Sequence, residues 1–574
     1  MSEKSSGRWQ ARAAWLVIAL GIVIRLRQYL DQRSLWMDEA MMSLNIAAHN
    51  WLPLTQPLDY AQVAPVGFLW LERTAVVIGG VNELTLRAFP MAAGIALLWP
   101  LWKVVRSQLT PVESVTAIAL AAFSPLLVRY SNEAKQYSID VFVTVALLAL
   151  AMRVIESPTK RERWIALGAA GAAALLVSMP VAFALGGVVA ALLVNKASRA
   201  EARRHAGIVA LSLSAWLATF GVTVAIAERS AGSQTYLQMQ RFWEFAFLRP
   251  GAPDLVARVT TAVNKVLAGF LIGSVSASRW GAWVTVAGSA LAVVSLIFTV
   301  AGVVGLIQRG KGWLAIVVSV PVVATAIASA AGLYPVSARH LLFAAPGIFL
   351  LMAAGLGTVA ARLPSRLALS GFIIAASGFV LPSLAQGAAE LVSPIRRQDT
   401  RQLVRAFEAR SAPGDCVYVS VVAIPAWIFY TTDWDAPKRE RLSWVAQRAD
   451  FRGPLFHSAL ARGPVMLGEG AELERITGQR VELFGMATGR EIRWSGFAST
   501  RMNDGWAANE ADRVVNACNG RTVWVLYVPL AEIDREPALG ALRTALEQRG
   551  AGLISVRRTR EADLLQFALG KQDR

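Results

Sequence analysis

The chain has 574 residues, 55% of them hydrophobic and 17% charged, with a mean hydropathy of +0.45 and a formal net charge of +18. A water-soluble domain carries roughly 25% charged residues, so this composition excludes an ordinary soluble protein and indicates an integral membrane protein. The positive charge sits mostly in short loops between apolar runs, where it sets topology; a nucleic-acid partner would need it gathered on one soluble face, so nucleic acid is excluded.

A run of about 20 apolar residues crosses a bilayer. Eleven spans are predicted, near 13–30, 86–105, 113–130, 137–154, 163–179, 180–195, 206–227, 283–307, 313–331, 341–361 and 367–388. The first follows a basic start (Lys4, Arg8, Arg12) with no small-residue cleavage site, so it reads as a retained anchor. A tight Ser178-Met179-Pro180 turn joins the fifth and sixth.

With the N-terminus in the cytoplasm, the inner loops hold Lys103 and Arg106; Arg153, Lys160, Arg161 and Arg163; Lys196, Arg199, Arg203 and Arg204; Arg309 and Lys311; and Arg362 and Arg366. All are basic, as the positive-inside rule requires. Counting 254–273 as a span would invert the later loops. Its Asp254, Arg258, Asn264 and Lys265 fit an amphipathic helix on the outer surface instead. Residues 40–80 are predicted to be external, in short interfacial helices interrupted by Pro53, Pro57 and Pro65.

Residues 1–394 thus form a membrane domain and 395–574 a polar domain, which an odd number of spans places outside. A helix over 399–411, strands at 416–420, 464–467, 480–484, 522–528 and 552–557, and helices at 440–448 and 538–549 predict a small α/β domain. The two cysteines, Cys416 and Cys518, both fall here. Outside the cytoplasm they can form a disulfide, and two unpaired buried thiols fit the sequence equally.

Three polar clusters are predicted on the outer face. Asp38 and Glu39 follow the first span, and acids at a membrane boundary require a reason. Either they open a helix over 38–48 as a cap, or a carboxylate there takes a proton from a hydroxyl. Arg25 and Arg27 are interfacial anchors, lipid-phosphate ligands or holders of those acids.

The second cluster is Arg129-Tyr130-Ser131-Asn132-Glu133-Ala134-Lys135-Gln136-Tyr137. If it is helical, Tyr130, Glu133 and Tyr137 share one side, with Arg129 four residues from Glu133. The third is Tyr334 to His340. Its Arg339 offers the paired donors that suit phosphate, whereas His340 reads as structural. In the long loop between the seventh and eighth spans, Tyr236, Arg241, Trp243 and Glu244 are weaker candidates for substrate contact. Four histidines without a His or Cys pairing argue against a dedicated transition-metal site. Asp38 and Glu39 could hold a divalent cation, Mg²⁺ or Mn²⁺, but one acidic pair is a short ligand set. No phosphate-cradling glycine loop supports an ATP-driven transporter.

Taken in order, these residues resemble the GT-C superfamily of membrane glycosyltransferases, in the branch of bacterial protein O-mannosyltransferases and aminoarabinose transferases (PMT-like). The matching stretches are Leu35-Trp36-Met37-Asp38-Glu39-Ala40 after an Arg-bearing first span, Ala64-Pro65, Asn82-Glu83-Leu84-Thr85-Leu86-Arg87 and Asn132 to Ser138. Arg339-His340 with the following Pro346, and Pro413-Gly414-Asp415, complete the set. The likeness is strongest over 15–145.

The resemblance implies a polytopic α-helical GT-C-like fold in a bacterial cytoplasmic membrane and a polyprenyl-phosphate-linked sugar donor taken from the outer leaflet, with inversion at the anomeric carbon. The acceptor is a hydroxyl of a glycan, lipid or protein. It implies Asp38 as catalytic acid of the first loop with Glu39 as companion, and Glu133 as the second external acid. Lys135 and Arg339 would then face the donor phosphate; from the residues themselves, Arg129 and Arg25 are further phosphate-binding candidates, and Tyr130, Tyr137 and His340 are candidates for substrate contact. The sequence departs from the family at Lys135, where Arg is commoner, and at His340, usually Tyr. Lys135 keeps the charge but loses bidentate geometry.

A transporter or flippase of lipid-linked saccharide is the alternative from another class. Transporters place ionisable groups near the midplane on broken helices. Here they cluster at one face. An assembly scaffold would explain the polar domain but not three convergent polar loops.

Overall fold

The computed structural model describes residues 3–273 apart from 57, 59 and 61, residues 282–432, residue 434, and the segments 465–467, 505–529 and 535–570. Long helices dominate up to Val392, and a five-stranded sheet follows.

Nine helices among the described residues are long and apolar enough to cross a membrane, or ten if Val181–Val194 and Lys196–Arg204, bent by 97°, count as one broken span. Eleven were expected, and the difference has local causes. The 113–130 run is broken at Ser124-Pro125 into Pro111–Phe123 and Pro125–Tyr130, because the residue before a proline leaves the helical region. Arg161–Val177 is a short helix of 17 residues, closed by the Ser178-Met179-Pro180 turn. Leu255–Ile272, expected as a surface helix, is apolar and long enough to span. Only its C-terminal half, Val266 to Leu271, is buried.

Without a hydrophobic drive between helices in lipid, close backbone approach becomes the means of packing. The helices Ala282–Gln308 and Ala345–Ala360 show it. A Cβ at Gly302 would lie 1.9 Å from the carbonyl oxygen of Leu351, and one at Gly355 would lie 1.9 Å from that of Phe298. Many side chains on the outside of the bundle, such as Leu217, Ile297 and Ile374, are exposed and apolar, as a lipid-facing surface requires.

The C-terminal sheet has the order β2-β1-β3-β5-β4. The strand β1 (Cys416–Val419) runs parallel to its neighbours β2 (Val465–Leu467) and β3 (Thr522–Tyr527). The strands β5 (Ala562–Leu569) and β4 (Ala551–Thr559) extend it antiparallel. One face packs on the helices Trp506–Ala517 and Arg535–Glu547, and on this side Cys416 and Cys518 are joined in a disulfide. The other face carries Val417, Val419, Trp524 and Leu526, which share one apolar core with Leu403, Phe407 and Trp427 and with Leu35, Met37, Met41 and Leu44 from the start of the chain. The helices Ile424–Thr431 and Trp506–Ala517 and the strand β5 were not predicted, whereas the expected elements at 440–448 and 480–484 lie outside the described residues.

Candidate active site

The first span ends at Leu30, and a six-residue link leads to the helix Met37–Ala48. Asp38 and Glu39 lie in its first turn, where the unpaired amides and the helix dipole favour negative charge. The N-cap is Trp36, without a side-chain cap bond, so neither acid is the cap. Successive helical residues point about 100° apart, and this sends the two carboxylates to different partners.

Glu39 is wholly buried. Its Oε1 accepts from Arg87 Nε at 2.8 Å and from the Ala134 amide at 2.9 Å, and its Oε2 from Arg33 Nη1 at 2.7 Å and Arg87 Nη2 at 2.9 Å. Burial alone would raise its pKa, but Arg33 and Arg87 override it and hold the carboxyl down at about 2. Glu39 is the anion of a closed, bidentate cluster that ties the first loop to the start of the second span and to the turn at 131–136.

Asp38 differs. Its side chain keeps 18% exposure. Oδ1 accepts from Lys135 Nζ at 2.9 Å and Oδ2 from Arg339 Nη1 at 3.2 Å. Burial pushes its carboxyl up, and Lys135 and Arg339 outweigh that, so it stays below the usual carboxylate range. Gln62 accepts a second bond from Lys135 Nζ at 2.7 Å, which fixes the ammonium.

The turn at 131–136 brings the second cluster in. It is not helical, contrary to the reading that set Tyr130, Glu133 and Tyr137 on one helical side. Pro125–Tyr130 ends there and Tyr137–Glu156 begins after it, because the Lys135 amide bonds the Glu133 carbonyl at 2.7 Å and turns the chain. The rings of Tyr130 and Tyr137 still meet edge to face, 4.9 Å apart. Arg129 Nε donates to Glu133 Oε1 at 2.7 Å, with Arg33 at 3.9 Å, while Glu133 Oε2 is buried without a hydrogen-bond partner.

Arg339 comes from the third loop. Its guanidinium lies over the Trp243 ring at 4.5 Å and faces Tyr137 at 6.0 Å, and its Nε is buried without a partner. Its ring neighbours and Asp38 keep the cation firmly charged despite burial. His340 packs edge-on to Trp243 at 4.7 Å, and its Nδ1 lies 2.8 Å from Ser337 Oγ. Burial, reinforced by Arg339, drives its pKa well below the ordinary value, so the ring is neutral.

The structure thus brings together Asp38, Glu39, Arg129, Tyr130, Glu133, Lys135, Tyr137, Arg339 and His340. It does not bring in Arg25, which is buried within the first span and donates to the carbonyls of Gly21, Ala121 and Ala122 at 2.7–3.3 Å. Arg27 pairs with Asp31 at 3.6 Å and is 40% exposed. Of the loop candidates, Trp243 reaches the site; the side chains of Tyr236 and Arg241 lie outside the described residues. Arg33, Arg87 and Gln62 were missed as site residues. Arg87 stood in a quoted motif, but nothing in the sequence joined it to Glu39. Among the described residues, no group of three or more His, Cys, Asp or Glu could hold a metal ion. Asp38 and Glu39 each face their own cations, so they do not form a shared ligand pair.

Residues 63–223 match the family of dolichyl-phosphate-mannose-protein mannosyltransferases. That stretch includes Arg87, Arg129, Glu133 and Lys135 and leaves out Asp38, Glu39 and Arg339. No curated protein matches the chain. Among solved structures, ArnT from Cupriavidus metallidurans is similar in its apo state, at 13% identity, 98% coverage of both chains and a TM-score of 0.49. The same enzyme bound to undecaprenyl phosphate aligns at 12% identity with the same coverage and TM-score. The apo oligosaccharyltransferase of Archaeoglobus fulgidus aligns at 12% identity and a TM-score of 0.49, over 95% of this chain and 73% of that one. The family match, over 63–223, agrees with the resemblance read from the sequence to the class of PMT-like membrane glycosyltransferases. Within that class, the likeness singles out no particular enzyme.

Proposed function

We propose that the protein moves a sugar from a polyprenyl-phosphate-linked donor to an acceptor hydroxyl of a glycan, lipid or protein, at the outer face of a bacterial cytoplasmic membrane. The observation that carries this is the setting of Asp38, the partly exposed acid held between Lys135 and Arg339. Three acids (Asp38, Glu39, Glu133) meet five cations (Arg33, Arg87, Arg129, Lys135, Arg339). The excess positive charge suits a phosphodiester, and suits the departing phosphate better still.

The acceptor oxygen attacks the anomeric carbon and gives its proton to Asp38. The bond from that carbon to the phosphate oxygen breaks, and its electron pair leaves on the polyprenyl phosphate. Negative charge on the phosphate therefore grows in the transition state, where fixed cations stabilise it most. The same cations tune the base. Without donor they hold Asp38 down and make it a weak acceptor of protons. A phosphate that takes Lys135 and Arg339 to itself relieves that hold, so basicity rises when the donor is seated. Attack from the face opposite the phosphate is a single displacement and inverts the anomeric centre. Glu39 is a positioning residue here, since both its oxygens are occupied.

The test is Asp38→Asn in purified full-length protein, given undecaprenyl-phosphate-linked sugars and candidate acceptors. Transfer should fall by about 10²–10⁴-fold, the usual worth of a positioned general base, while undecaprenyl phosphate still binds. Transfer at the wild-type rate would remove Asp38 from the base role. For the face, a reporter fused at the C-terminus should score outside the cytoplasm, and a cytoplasmic score would invert the topology.

A further inference from the structure

The link that delivers Asp38 is gripped by the segment that opens the polar domain. We propose that the segment 396–401, with Gln398 at its centre, is a positioning device that sets the first turn of Met37–Ala48 and hence the Asp38 carboxylate. This rests on the reaction proposed above and adds a role for the C-terminal domain within it.

The contacts alternate along the two strands of chain. Arg396 forks onto both oxygens of Asp31, at 3.1 Å each. Arg397 lies over the Trp36 ring at 4.7 Å. The Gln398 side-chain oxygen accepts from the Met37 amide at 2.8 Å. Asp399 accepts from the Ser34 hydroxyl, and Arg401 donates to the Gln32 carbonyl at 2.6 Å. Tyr430 adds a further bond, accepting from the Leu35 amide at 2.7 Å and donating to Glu83 at 2.9 Å.

The Met37 bond is the most telling of these. The first amides of a helix have no partner within it, and Trp36 supplies no side-chain cap. Gln398 takes over that work from a distance of 361 residues in sequence. To do so it adopts a φ of 43°, in the left-handed region that side-chain-bearing residues avoid, and Gln32, on the other side of the grip, does the same at 46°. Such conformations persist where the surroundings over-determine them, and they gather at functional sites. Here the Gln398 carbonyl is held by the Thr400 amide at 2.6 Å and by its hydroxyl at 2.8 Å. Gln398 and Asp399 are both buried, and Leu35 and Met37 enter the core of the sheet domain. The Gln398–Met37 bond is therefore buried and continuous with that core. Asp38 follows Met37 directly, so any fraying of the first turn moves the carboxylate away from Lys135 and Arg339.

The experiment compares Gln398→Leu and Gln398→Glu with wild type as full-length protein in lipid nanodiscs. Three readings are taken: amide hydrogen exchange over residues 31–40, kcat and KM for transfer from an undecaprenyl-phosphate-linked sugar, and binding of undecaprenyl phosphate. Gln398→Leu should speed exchange in that segment by about tenfold, the scale of one lost buried hydrogen bond. It should lower kcat by about 10–100-fold, the cost of a misplaced catalytic group, with undecaprenyl phosphate binding within about twofold of wild type. Gln398→Glu keeps an acceptor oxygen for Met37 and should restore both exchange and kcat.

Unchanged exchange in Gln398→Leu overturns the grip. Faster exchange with wild-type kcat overturns the positioning role. Joint loss of binding and kcat without rescue by Glu means a general folding defect and also overturns it. If wild type itself transfers no sugar from the lipid-linked donor, the proposed reaction fails, and exchange with its rescue still decides the grip.

Discussion

The two ends of the helical bundle each bury a carboxylate among basic side chains, and they use it in opposite ways. At the end away from Asp38, Glu113 opens the helix Pro111–Phe123 in a capping box with Thr110, whose amide it accepts at 2.9 Å. Arg309 reaches the same carboxylate at 2.8 Å and also Thr358, and Lys311 Nζ bonds the Gln108 carbonyl. Arg309 and Lys311 each have a fixed structural partner, and the cluster ties together the ends of Leu98–Gln108, Pro111–Phe123, Ala282–Gln308 and Ala345–Ala360. At the other end the cations outnumber the acids, and Asp38 keeps an open side. A closed ion pair signals a clasp. A partly exposed acid set among surplus cations signals a place where something else binds.

The same contrast recurs within the site, between Glu39 and Asp38, and there it can be broken most sharply. Glu39→Ala leaves Arg33 and Arg87 buried without their anion. Removing one partner of a buried pair costs about 3–5 kcal/mol, enough to unfold many proteins. The expected outcome is loss of monodisperse protein or a large fall in Tm, whereas Asp38→Asn should keep its Tm and lose only transfer. Equal Tm in the two variants would merge the two roles.

The pH dependence follows from the same pair. The Glu39 carboxyl lies at about 2 in the folded protein, below its ordinary value of 4.5. A depressed carboxyl stabilises the fold fully above the ordinary value and loses that contribution as pH falls through the folded one. Stability should therefore decline from about pH 4.5 down to about 2, and the decline should be shallower in Glu39→Gln. Thermal melts at stepped pH check this. An unchanged slope in the variant would assign the acid sensitivity to other carboxylates.

At the clasp end, Glu113→Gln keeps an acceptor for the Thr110 amide but gives up the charge that Arg309 meets. A loss of about 1–3 kcal/mol is expected, with transfer per folded molecule unchanged. A drop in kcat matching that of a site variant would mean that the two ends are not separate in function.

How much of this was visible in the sequence depends on how far apart the partners lie. Asp38, Glu133 and Arg339 stand out because acids and arginines interrupt long apolar runs at the same end of neighbouring spans. The division of labour between Asp38 and Glu39 was hidden, because it is made by Arg87, 48 residues away, and by a backbone amide at Ala134. Arg309 and Lys311 read as topology signals, and their bonds to Glu113 and Gln108 lie about 200 residues back along the chain. Arg25 looked like a phosphate ligand from its place near the span end, yet helix geometry turns it into the bundle, onto the carbonyls of Ala121 and Ala122. Gln398 carries no signature at all. A neutral side chain in a polar segment says nothing until the fold sets it against Met37.

Trp243 offers the finest test of the comparison, because its ring stacks on a cation of the site. Its ring lies 4.5 Å from the Arg339 guanidinium and 4.7 Å from His340, so it fixes the direction of Arg339 without neutralising it. An arginine oriented by stacking keeps the donors it does not spend on Asp38 for an anion. A desolvated cation–π contact contributes about 0.5–2 kcal/mol. Trp243→Leu should therefore weaken undecaprenyl phosphate binding by about 2–30-fold, with the Tm changed little, since the residue belongs to a small apolar cluster with Ala246 and Phe247 apart from the main core. Isothermal titration with undecaprenyl phosphate in nanodiscs reads this directly. Unchanged affinity would show that the bond to Asp38 fixes Arg339 without the ring, and the open side of the site would then owe nothing to Trp243.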